Sequence, residues 1–160
     1  MTVISTSKSP EDLSFVIVAE FDAKVERVWQ IWEDPRQLER WWGPPTWPAT
    51  FELLDFTPGG KANYYMTGPD GEKARGWWQF TSIDKPTTLS LDDGFADDNW
   101  EPVDSMGVTK MQTTLEDIGG RTRMTMTSTF ESADQMQKMI EMGMEEGVRL
   151  AMGQIDDILR

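Results

Sequence analysis

The chain of 160 residues has no cysteine and no histidine. It therefore offers no disulfide framework, no thiolate nucleophile, no nitrogen–sulfur ligand set for zinc or copper, and no Ser-His-Asp triad. Basic side chains are scarce, 15 against 28 acidic ones, which leaves a formal charge of −13. Such a charge repels phosphate backbones and anionic lipid, so neither nucleic acid nor a membrane surface is expected as a partner. Long apolar runs are missing as well. The longest, Phe15 to Ala19, is far too short to span a bilayer. The N-terminus MTVISTSKSPEDLS lacks the basic-then-apolar layout of a signal peptide, so a cytoplasmic location is expected. No Gly-rich phosphate loop, internal repeat or low-complexity segment interrupts the chain. No cofactor and no metal is expected.

What is present is 38% hydrophobic, with eight Trp and eleven Met, enough for one core at an ordinary domain size. The expected organisation is a loose tail over 1–11 and a single domain over 12–160. Leu13 to Phe21, rich in β-branched and aromatic residues, predicts a first strand. Asp22 is positioned to cap a helix over Ala23 to Trp32, in which Val25, Val28, Trp29 and Trp32 share one face. Pro35 suits the first turn of a second short helix carrying Leu38, Trp41 and Trp42, and Gly43, Pro44 and Pro45 stop it. From Thr46 the pattern alternates with period two and is punctuated by TPGG, GPDG, DKP and DIGG turns. Six strands follow from it, at 47–56, 61–67, 73–83, 87–92, 105–116 and 121–130. With the first strand the expected sheet has seven, all antiparallel.

Ser132 to Arg160 contains no proline and opens with Ser132 and Gln135 at capping-box spacing, which predicts one long helix. Met136, Ile140, Gly143, Met144, Gly147, Leu150, Ala151, Gln154, Ile155 and Ile158 fall in its apolar sector, with Glu141, Glu145, Arg149 and Asp156 facing away. Two glycines inside a helix cost roughly 1 kcal/mol each. Either they let the helix approach the sheet closely, or they leave a void beneath it. On the second alternative the helix roofs a cavity with adaptable Met walls and one polar contact, Gln154. The strand at 73–83 places Gly76, Trp78 and Phe80 on one face and Arg75, Trp77 and Gln79 on the other. If the first face meets the helix, Trp78 and Phe80 form the cavity floor, and Met124 and Met126 of the strand at 121–130 join them. The candidate ligand-binding residues are thus Trp78, Phe80, Met124, Met126, Met136, Ile140, Gly143, Met144, Gly147 and Gln154.

Trp29 and Trp32 are expected in the core, while Trp41, Trp42 and Trp47 around the Gly-Pro-Pro turn form either a hydrophobic plug or a pocket mouth. The acidic stretch 92–104 lacks the order of a calcium loop and is expected to be a solvated loop, with Phe95 and Trp100 able to gate a pocket. A general base would have to be a carboxylate or lysine perturbed by burial, and the carboxylates are expected on loops or outward faces. No catalytic residue is assigned.

The order strand, two short helices, antiparallel meander and C-terminal helix resembles the helix-grip fold of the START-like (SRPBCC) superfamily, an α+β architecture. Within it, the blocks FDAKVERVWQIWEDPRQLERWWGP, TPGGKANYYM, GWWQF, GGRTRMTMTSTF and MEEGVRLAMGQIDDIL resemble bacterial proteins that share the domain of the activator of Hsp90 ATPase, the AHSA1-like group. The resemblance implies a small apolar or aromatic ligand held between sheet and helix without catalysis. Some relatives in this superfamily are polyketide cyclases or dehydratases, which makes such an enzyme the alternative. The eukaryotic activator joins a domain of this kind to a separate chaperone-binding domain, for which 160 residues leave no room. A stress-response role beside Hsp90 is therefore expected least. A homodimer is left open.

Overall fold

The computed structural model describes residues 2–160, with side chains from residue 5 onward. The first apolar strand is β2, Ser14–Phe21, paired along its edge with β1, Thr2–Ser9. In β2 the alternation points Phe15, Ile17, Ala19 and Phe21 inward, each no more than 1% exposed. β1 corrects the expectation of a loose tail over 1–11. From Ser5 to Ser9 it consists of Ser, Thr and Lys with no apolar face, yet the unpaired backbone groups along β2 provide a ready partner.

Two helices follow and pack into the same core as the inward face of the sheet. In α1, Val25–Glu33, the buried residues are Val25, Val28, Trp29, Ile31 and Trp32. α1 starts two residues later than expected and without a side-chain cap, because Asp22 pairs with Arg121 at 2.6 Å instead. α2, Pro35–Leu38, has Pro at its first turn and Asp34 accepting from the Arg36 backbone N–H. It ends at Leu38, so Trp41 and Trp42 lie in the turn that follows.

The meander then runs through β3 (Ala49–Leu54), β4 (Lys61–Thr67), β5 (Lys73–Asp84), β6 (Thr88–Phe95), β7 (Val108–Asp117) and β8 (Thr122–Thr129). The order across the sheet is β1-β2-β8-β7-β6-β5-β4-β3, every neighbouring pair antiparallel, giving eight strands where seven were expected. Register shifts at Phe51/Leu53 and Phe80/Ser82 are the bulges that help such a sheet bend. One face of the sheet is apolar and carries the core.

The C-terminal segment is not one helix. It divides into α3 (Ala133–Glu141), α4 (Met144–Met152) and α5 (Ile155–Leu159). The Ser132 hydroxyl caps α3 as expected, accepting from the Gln135 N–H at 3.1 Å. The sharp break is at Gly143, whose φ of +83° is left-handed, and a softer one lies at Gly153 and Gln154, where backbone angles stay near helical. Much of the expected apolar sector survives the breaks, with Met136, Ala151, Ile155 and Ile158 buried, but Leu150, expected in it, is exposed while Met152 is buried in its place, because the joint at Gly143 resets the rotation of α4. A pattern of that kind cannot distinguish one rod from three short helices sharing a face.

The two glycines, equivalent by spacing, are therefore different in structure. Gly143 holds a conformation that L residues adopt at a cost, whereas Gly147 sits inside α4 with open space where a Cβ would go. Gly143→Ala is expected to destabilise by about 1 kcal/mol or more, and Gly147→Ala to stabilise by up to about 1 kcal/mol. Urea unfolding of the two variants checks the opposite signs.

Candidate functional site

Between the inner sheet face and the helices α3 and α4 lies a cavity of about 280 Å³. Phe15 and Ile17 of β2, Met126 and Ser128 of β8, Thr109 and Met111 of β7, and Asp93 and Phe95 of β6 form its floor. Tyr64, Met66, Ala74, Arg75, Trp41, Trp42 and Pro44 close one end. The roof consists of Met139, Met142, Gly143, Met144, Gly147, Val148 and Ala151. Met66, Met111, Met126, Met139, Met142 and Met144 make six of the chain's eleven methionines part of this lining, a wall able to adapt to an irregular guest.

Of the residues expected at the site, Met126, Gly143, Met144 and Gly147 line the cavity. Trp78 and Phe80 are on the inward face of β5, but at 0% and 1% exposure they lie within the aromatic core and not on the cavity surface. Met124 and Met136 are likewise buried in the core, and Ile140 packs against it. Gln154 is elsewhere: its amide donates to the Gly43 carbonyl at 2.7 Å and the Ala151 carbonyl at 3.2 Å. There it borders an open polar cleft with Arg36, Glu39, Arg40 and Asp157.

The tryptophans are plug and wall together. Trp42 meets Trp78 edge to face at 4.7 Å, and Trp32 meets Trp41 at 4.9 Å, both in the range where ring quadrupoles attract. The Trp41 indole donates to the Ile31 carbonyl at 3.0 Å. Trp41 and Trp42 thus seal the core and present one surface to the cavity.

The cavity also holds a polar pair that alternation could have found. In LSLDDGF, Leu89 and Leu91 point inward, and continuing the strand places Asp93 beside them. The strand expected over 87–92 leaves Asp93 to a solvated loop; β6 instead runs to Phe95. The Tyr64 hydroxyl donates to Asp93 Oδ1 at 2.8 Å. This reach from β4 to β6 crosses β5 at Gly76, where a Cβ would overlap the Tyr64 phenol. Glycine there is what permits the pair.

Burial pushes the Asp93 carboxyl up to about 7, while the Tyr64 hydrogen bond and the nearby Trp78 indole favour its charged form. Burial, followed by the Asp93 charge, holds the Tyr64 phenol well above its usual range. The indole N–H groups of Trp42 and Trp78 bear on this pair without closing a hydrogen bond. Carboxylates were expected only on loops and outward faces, and Asp93 corrects that expectation.

Beyond β6 the acidic stretch is indeed a turn, with Asp97 accepting from the Asn99 and Glu101 backbone N–H groups. Phe95 lines the cavity. Trp100 lies under the Arg75 guanidinium at 5.5 Å, and Asp98 pairs with Arg75 at 2.8 Å. Among the described residues, no group of three or more ligating side chains is placed to hold a metal ion, and no helix is long and apolar enough to cross a membrane.

Because the folded Asp93 carboxyl keeps a proton that the unfolded chain releases, its contribution to stability falls as pH rises from about 4 to about 7. The loss is on the order of a few kcal/mol and is complete above the folded value. Asp93→Asn accepts the same Tyr64 hydrogen bond without a charge. Its melting temperature is expected to match the parent near pH 4 and to exceed it increasingly up to about pH 7, with a constant excess above, as checked by calorimetry from pH 4 to pH 8.

Comparison with known proteins places this arrangement. The chain is similar to a protein from Arthrobacter aurescens, solved by solution NMR, with 69% identity, a TM-score of 0.95, and coverage of 99% of this chain and 92% of that one. It is similar to protein Ms6760 from Mycobacterium smegmatis at 43% identity and a TM-score of 0.92, over 99% of this chain and 98% of that one. The AHSA1 protein from Silicibacter pomeroyi shares the fold at 21% identity and a TM-score of 0.75, over 91% and 96% of the two chains. No curated protein matches. The family described as Activator of Hsp90 ATPase homolog 1-like protein matches residues 22–160. With that match, and with relatives this similar along nearly their whole length, the chain belongs to the AHSA1-like family of START-type helix-grip domains.

Proposed function

We propose that the protein binds a small, mostly apolar or aromatic molecule in the cavity beneath α3 and α4, without converting it. The observation that carries this reading is the roof. Gly147 is half-buried and lines the cavity, and a methyl group placed on it would meet no neighbouring atom within 4 Å, so α4 leaves room there for a guest. Close helix-to-sheet packing, the other account of these glycines, would have filled that space. Methionine and aromatic walls suit an apolar guest whose shape is not a perfect match.

A second reading is favoured by Asp93. A carboxyl near neutrality inside an apolar cavity is suited to proton transfer, which is what a cyclase- or dehydratase-like enzyme would need. The two readings separate on whether a bound carbonyl compound exchanges its α-hydrogens in deuterated water, followed by NMR; the binding reading expects no exchange.

Gly147→Leu is the direct test of the cavity. A leucine there gains about 0.8 kcal/mol of helix propensity and fills the space a ligand needs. The parent is expected to bind the neutral fluorophore N-phenylnaphthylamine with partial quenching of Trp emission. Gly147→Leu is expected to melt at the same or a higher temperature and to lose that binding. Unchanged binding to a stable variant would place the ligand elsewhere.

The proposal also sets aside polyanions as partners. At low ionic strength, where screening is weakest, co-sedimentation with anionic vesicles and retention on DNA-cellulose are both expected to be absent.

A further inference from the structure

A polar strip crosses the floor of the apolar cavity. Tyr64 on β4 donates to Asp93 on β6, and Asp93 is the register partner of Thr109 on β7. Thr109 is only 6% exposed, and its hydroxyl oxygen accepts from the Gln135 amide of α3 at 3.5 Å, which leaves its own proton to be donated. Both Asp93 and Thr109 line the cavity. With Asp93 Oδ1 taken by Tyr64, the second carboxyl oxygen is the atom left for a guest.

We propose that Asp93 and Thr109 form a subsite for the carbonyl oxygen of an otherwise apolar ligand, Asp93 donating a hydrogen bond in its protonated form. A carbonyl oxygen has two lone pairs, and the strip offers it two O–H donors. An ammonium group would bring three donors to a single carboxylate oxygen left free by Tyr64. A buried ion pair would also have to recover the desolvation of both partners. The neutral carbonyl asks for neither.

Ligand binding is consequently coupled to a proton. Tyr64 faces Asp93 from β4 and stays protonated across the neutral range. From β5 the neighbour of Asp93 is Trp78, while the Arg75 guanidinium is held by Asp98 and lies over Trp100. From β7 the neighbour is Thr109, while Lys110 is on the outer face with Asp92. The roof helices present methionines, Val148 and the two glycines, and Glu145 is occupied by Lys8 and Thr6 outside the cavity. In a chain without histidine or cysteine, Asp93 is thus the wall residue that changes charge near neutrality.

The inference rests on the cavity reading, so its test includes a ligand that needs only the cavity. Acetylnaphthalene, ethylnaphthalene and naphthylmethylamine are titrated into the folded protein by calorimetry at about pH 5.5 and about pH 8.5. The ketone is expected to bind more tightly at the lower pH, by up to about thirtyfold if only the protonated carboxyl accepts it. The hydrocarbon is expected to bind equally at both. Asp93→Asn, which keeps an N–H donor in place of the O–H, is expected to bind the ketone at both pH values with the parent's low-pH affinity. Ketone and hydrocarbon binding alike at both pH values would overturn the carbonyl subsite and leave the cavity standing. So would tighter binding of the amine, strengthening as pH rises. Failure of all three to bind would overturn the cavity reading and this inference with it.

Discussion

A curled antiparallel sheet of eight strands offers an apolar face broader than one helix can cover, and the rest of the molecule follows from how that face is hidden. One portion is filled from within the domain by α1 and by the indoles of Trp32, Trp41 and Trp42 stacked toward Trp78. Another is covered by α3 to α5. Between these two covers the sheet is not filled, and the cavity occupies that interval. It is bounded by the same residues that bury the core, so core and site share their walls, and a change of volume in either is felt by both.

The sequence disclosed these elements unevenly, for physical reasons. Strands with one wet face announced themselves: β4 falls at Lys61–Thr67 as the alternation and flanking turns require, and β8 is displaced by only one residue at each end. β1 gave little signal because, after Val3 and Ile4, an edge strand of Ser, Thr and Lys is held by backbone pairing, which side-chain patterning does not report. The C-terminal breaks were hidden for another reason. A left-handed glycine reorients the chain between turns of helix while Met136, Met144, Ala151 and Ile155 still fit a single period, so the spacing hid the break and with it the exposure of Met142 and Leu150.

The site was legible where it is built from absence and illegible where it is built from an exception. Gly143, Gly147, Met126 and Met144 stood out because missing and flexible side chains are odd in a core, and all four reach the cavity. Trp78 and Phe80 were on the correct face but one layer too deep, a distinction of distance from the sheet that alternation cannot express. Asp93 was lost because an acidic residue after Asp92 marks the end of a strand under ordinary composition rules. What keeps it in the strand is Tyr64 reaching over Gly76, a contact among three strands with no trace in the local sequence.

The edge strand also bears on the roof. Glu145 of α4 accepts from Lys8 and from Thr6 of β1, each at 3.0 Å, and Arg149 donates to Thr6 at 3.3 Å. These contacts are largely on the surface, where an ion pair contributes about 1 kcal/mol or less. A fastening of that strength adds little to the cost of lifting α4 from the sheet by local opening. The left-handed joint at Gly143 lies at the N-terminal end of the same helix, immediately before the clasped turn that carries Glu145. Entry and departure of a guest would then be governed by how readily α4 lifts, so that the chemistry of the cavity sets affinity while the packing of the roof, with little help from the exposed Lys8–Glu145 clasp, sets residence time.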